Sequence, residues 1–156
     1  MQEHAVQKQV EFAQTKLSVI EQKLQHYLNY TNITVLEREG KEKEEYPLLL
    51  SDLRRLSVHC LEAKEACTMF LTTKAVPSAQ AQQLLKRIYQ RCVLEFFNPK
   101  NDLWYENSRA SYTGSDAIHF RFEAPNSVHV LFRNIEEPFL SLQEELQMYE
   151  KNYFAN

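Results

Sequence analysis

Apolar residues recur along this chain at alternating steps of three and four, in four separate runs. The first reads Val6, Val10, Ala13, Leu17, Ile20, Leu24 and Tyr27, with Gln, Lys and Glu filling most of the gaps. Residues three and four apart share one face of a helix, so the run predicts a helix over residues 3–30. The second run, Leu49, Leu53, Leu56, Cys60, Ala63, Cys67 and Phe70, predicts a helix over 47–73. Pro47 suits its first turn, where the missing N–H costs nothing. The third, Ala81, Leu85, Ile88, Cys92 and Phe96, predicts a helix over 78–97 with Ser78 as N-cap after Pro77. The fourth, from Val128 through Phe132, Ile135, Phe139, Leu142, Leu146 and Tyr149 to Tyr153, predicts a helix over 126–154 capped by Asn126. Pro138 falls inside it and predicts a kink or a break.

A helix with one apolar stripe must bury that stripe against another element. Four such stripes predict a mainly α protein, an up-down-up-down antiparallel four-helix bundle forming a single domain over residues 1–156. The connection between the second and third helices is short and predicts antiparallel neighbours. The other two connections are longer. Residues 31–46 begin with Ile33-Thr34-Val35-Leu36, which is β-branched and strand-like, and residues 98–125 contain Ile118, Phe120 and Phe122 in strict alternation. An up-down-up-down topology puts both connections at one end, where they are expected to pair into a small sheet capping the bundle.

Composition narrows the function. With 156 residues, 44% hydrophobic and 25% charged, the chain is ordinary globular material able to build one core without disulfides. Only two glycines occur, which fits helices better than a turn-rich sheet protein. A net charge of −3 gives no long-range attraction to phosphate backbones, and basic residues mostly have acidic neighbours, as in Lys41-Glu42-Lys43-Glu44-Glu45. Nucleic acid is therefore not the expected partner; Lys86, Arg87 and Arg91 on the third helix would be its only foothold. No signal peptide and no stretch of membrane-spanning length is present, and the three cysteines lack metal spacing, so a cytoplasmic protein with reduced thiols and no membrane association is expected.

Candidate chemistry is sparse. Cys60, Cys67 and Cys92 all fall on apolar stripes, where a thiol is core material rather than a nucleophile. No Glu-x-x-His occurs, and the five histidines share no spacing, so neither a metal nor another cofactor is expected. One segment gathers functional side chains: Trp104, Tyr105, Glu106, Asn107, Arg109 and Tyr112 lie within nine positions, together with Gly114 just beyond. Rigid aromatics beside Arg and Asn suit a contact surface. The plainer reading makes Trp104 and Tyr112 a plug for the open end of the bundle, with Glu106 and Arg109 as a local ion pair.

The string Glu95-Phe96-Phe97-Asn98-Pro99-Lys100-Asn101-Asp102-Leu103-Trp104-Tyr105-Glu106-Asn107-Ser108-Arg109, running on to Tyr112-Thr113-Gly114, resembles the YpuI-type proteins of Bacillus and relatives. Asp52-Leu53-Arg54-Arg55-Leu56 and Glu144-Glu145-Leu146 followed by Tyr149-Glu150 fit the same family. The resemblance implies a small cytosolic protein of unknown function from a Gram-positive source. It supplies no activity, cofactor or catalytic residue. The expected function is a non-enzymatic interaction or structural protein, with a protein partner or a second copy of itself, using the aromatic-rich end. The competing expectation is a small-molecule binder or enzyme with its pocket between the bundle end and residues 98–125. In that reading Glu106 is an acid/base and Arg109 an anion clamp.

Overall fold

A computed structural model describes residues 2–41, 43–73, 77–107 and 117–150. The chain is mainly helical with a small two-stranded sheet: α1 (Gln2–Tyr30), α2 (Ile33–Glu39), α3 (Glu45–Thr72), α4 (Ser78–Ile88), a π-turn (Tyr89–Val93), α5 (Leu94–Phe97), β1 (Trp104–Glu106), β2 (Ile118–Phe120) and α6 (Asn126–Leu146).

The four apolar stripes form the core. Every stripe residue from Val6 to Tyr149 is buried, apart from the partly buried Tyr27 and Phe70; Tyr153 lies outside the described residues. Polar contacts along the flanks fix the direction of neighbours. Gln14 Nε2 donates to Thr68 Oγ1 at 2.8 Å while Lys64 lies 3.7 Å from Glu21, so α1 and α3 run in opposite directions. Tyr149 Oη donates to Gln9 Oε1 at 2.9 Å and Tyr27 Oη pairs with Ser127 Oγ at 3.2 Å, which sets α6 antiparallel to α1.

Residues 33–36 are helical, not strand-like. The Asn32 side chain accepts the Val35 N–H at 2.9 Å, and the Gly40 N–H closes the other end on the Leu36 carbonyl. This cap, together with burial of Leu36, outweighs the weak strand preference of Ile33, Thr34 and Val35. Among the described residues the two long connections consequently form no shared sheet. Both strands come from residues 98–125, antiparallel, with Trp104 opposite Phe120, Tyr105 opposite His119 and Glu106 opposite Ile118.

Neither expected side-chain cap forms. Pro77 and Pro125 occupy the cap positions with extended backbone, and their carbonyls accept the first helical N–H groups, from Gln80 at 3.1 Å and Val128 at 3.0 Å. Of the kink or break expected at Pro138, the break does not occur; α6 runs through the proline. The third predicted helix contains a π-turn instead of running evenly, with the Leu94 N–H reaching back to the Tyr89 carbonyl. One extra residue rotates the following chain by about 100°, one residue's share of a 3.6-residue turn. Through this turn Tyr89, Cys92, Val93, Phe96 and Phe97 are all buried, a wider apolar set than one even stripe would cover.

Gly40 is required by close approach. A Cβ there would meet the hydroxyl of the buried Tyr46 at 2.5 Å.

Candidate functional site

The sequence Trp-Tyr-Glu-Asn alternates across the ribbon because successive side chains on a strand point to opposite faces. Trp104 and Glu106 therefore share the face with Phe120 and Ile118, while Tyr105 shares the opposite face with His119. Of the six residues singled out in the sequence, the strand residues Trp104, Tyr105 and Glu106 are thus divided between two faces. Arg109 and Tyr112 lie outside the described residues.

The inner face is structural. Trp104 is 1% exposed, and its ring meets Phe132 edge-on with centroids 4.9 Å apart. Phe96 stacks on Phe139 at 4.1 Å, and Phe120 meets Phe132 at 4.8 Å, which extends one aromatic cluster from α5 through α6 to the ribbon. Such pairs contribute ~0.5–1.5 kcal/mol each beyond their burial. The indole N–H donates to the Phe96 carbonyl. Glu106 is half-buried on this side.

Two buried carboxylates anchor the excursion to the helices. Glu136 of α6 accepts the Ala117 N–H, at the start of β2. Asp52 of α3 accepts the Asn101 Nδ2–H at 2.8 Å and its backbone N–H at 3.4 Å. Burial raises the Asp52 carboxyl above its ordinary value, with the Asn101 hydrogen bonds pulling it back. Neither anchor was read from the sequence. The only available signal was an acid set beside apolar stripe positions, Asp52 before Leu53 and Glu136 after Ile135.

The outer face is a different surface. Tyr105 is 39% exposed and stacks on His119 at 5.7 Å, while the Arg121 guanidinium lies 4.6 Å from the centre of the Tyr105 ring. Arg121 also pairs with Asp102 at 3.4 Å. Asp102 holds a positive φ of 53°, which a short polar side chain tolerates better than most. Asn107 is half-buried; its N–H donates to the Ala117 carbonyl at 2.6 Å and its Nδ2 lies 3.4 Å from His119 Nε2. His119 and Arg121 were not singled out in the sequence, although their position opposite Tyr105 follows from the alternation once the partner strand is known.

The three cysteines are buried and free. Burial pushes the Cys67 thiol up to about 12, and a hydrogen bond with Cys92 together with burial raises Cys60 well above its ordinary value. Among the described residues no group of three or more His, Cys, Asp or Glu side chains could hold a metal ion, and no helix is long and apolar enough to cross a membrane.

Fold and surface define a mainly helical protein with a small, aromatic-backed two-stranded ribbon. A family model described as "Protein of unknown function (DUF3907)" matches residues 10–155. The chain belongs to this family. It is similar to "Uncharacterized protein YpuI" of Bacillus subtilis (strain 168), 40% identical over 135 residues, covering 86% of this chain and 75% of that relative. No solved structure matches it.

Proposed function

We propose that the chain is a non-enzymatic interaction protein of the cytoplasm. In this reading one domain, an up-down-up-down four-helix bundle, holds the outer face of the ribbon toward a protein partner. The observation that carries it is the split across β1. Trp104 is locked into the core, whereas its neighbour Tyr105 stands outward between His119 and Arg121. A rigid aromatic with a guanidinium over its ring is the side-chain type on which binding energy concentrates at interfaces. Asn107 borders this face, and Arg109 and Tyr112 follow it in sequence.

The antiparallel contacts of α1 with α3 and with α6 support the bundle. So does Tyr89 Oη donating to Glu150 Oε2 at 3.0 Å, which sets the π-turn against the segment that follows α6. The competing pocket at this end loses ground because the Trp104 indole fills the space between α5, α6 and the ribbon.

Affinity capture with wild type and with the double variant Tyr105→Ala, Arg121→Ala tests the reading. A discrete partner, or a second copy of the chain, retained by wild type and lost by a still-folded double variant supports it. A partner held equally by both proteins refutes it.

A further inference from the structure

Arg87 and Arg91 make no ion pair among the described residues, although the chain carries 21 acidic side chains. Both line a narrow cleft between α3 and the α4–π-turn segment, of about 80 Å³, with His59 and Glu62 on its other side. Ala63 and Ala66, with their short side chains, line it as well.

The imidazole in this cleft is held in place. His59 Nδ1 faces two acceptors, Glu95 Oε2 at 3.1 Å and the Arg91 carbonyl at 3.3 Å, so this nitrogen carries the hydrogen. The other Glu95 oxygen takes Arg55 Nε at 2.6 Å. The Glu95 charge is therefore engaged by Arg55 and His59, and Glu62 is the one carboxylate among the described residues lining the cleft. A shallow neighbouring depression, lined by Arg55, Glu95 and Lys100, extends the cationic strip. Within a chain of net charge −3, this is a local excess of positive charge around a shaped recess.

We infer that this cleft binds a small oxyanion, specifically a phosphate group, either free or as the head of a monoester. Paired guanidinium forks match phosphate oxygens better than they match any neutral group. The recess has room for two or three waters at ~30 Å³ each, which fits an oxyanion head and leaves any larger body in solvent. The site is separate from the ribbon face and does not depend on its function.

The test is a titration of the full chain, following the arginine Nε–H signals by NMR, with inorganic phosphate, glycerol phosphate and a short single-stranded oligonucleotide. Saturable shifts at Arg87 and Arg91 with inorganic phosphate, glycerol phosphate or both are expected, and which of them binds more tightly identifies free ion or monoester. Arg91→Gln should weaken binding by about tenfold or more, the worth of one charge-assisted hydrogen bond. Glu62→Gln should tighten it, and both exposed positions tolerate substitution without unfolding. No saturable shift with either small phosphate, shifts unchanged in Arg91→Gln, or a response to the oligonucleotide alone would overturn the inference.

Discussion

The Trp104 indole N–H donates to the carbonyl of Phe96, in the last turn of α5. Carbonyls in a helix's last turn have no partner within the helix, and a buried indole N–H also needs an acceptor. One hydrogen bond meets both needs and ties the ribbon to the helical core.

Trp104→Ala should therefore cost roughly 3–5 kcal/mol, the usual range for deleting a large buried aromatic. Trp104→Phe keeps much of the packing and leaves a buried carbonyl unpaired, costing about 1–3 kcal/mol. Urea unfolding analysed by linear extrapolation measures both. A Trp104→Ala protein as stable as wild type would refute the plug.

Asp52 should leave a signature in the pH dependence of stability. Its carboxyl is raised on folding above the ordinary 3.8, chiefly by burial, so the folded state binds the proton more readily than the unfolded one. The stability this contributes is full below the unfolded value and is lost as pH rises through the folded one. Asp52→Asn removes that slope, so the variant should gain on wild type as pH rises from about 4 toward neutrality. Unfolding free energies of both proteins across this window test it. A gap that stays constant with pH would contradict the assignment.

The cysteines should be inert in the folded protein. Burial pushes Cys67 up to about 12, and the hydrogen bond with Cys92 together with burial raises Cys60 well above its ordinary value. These two carry almost no thiolate at neutral pH, while Cys92 is fully buried from reagent. An aromatic disulfide reagent should release its chromophore slowly from native protein and promptly, from all three thiols, in denaturant. Prompt release from the native protein would show an accessible thiol instead.

The helical stripes were legible because a repeat of three and four has few structural meanings, and Leu53, Leu85 or Phe139 could be placed in the core from spacing alone. The segment at Ile33 misled because three β-branched residues outweighed a single capping asparagine, which acts through one hydrogen bond rather than through a periodic pattern. The π-turn at Tyr89–Val93 has no residue signature, since it is a change of hydrogen-bond partner and not of residue type. At the ribbon, the segment containing Trp104 and Tyr105 was visible in the sequence. Their opposite roles were not, because the face each residue takes depends on strand pairing with His119 and Phe120.

The central claim is that the outward face at Tyr105 is a contact surface, and photo-crosslinking in the cell tests it most directly. A photoreactive phenylalanine analogue placed at Tyr105 is compared with the same analogue at Tyr30, which is 74% exposed on a different element. The account predicts a discrete crosslinked adduct from position 105, absent from position 30 and lost when Arg121 is replaced by alanine. No adduct from position 105, or the same adduct from both positions, would contradict it.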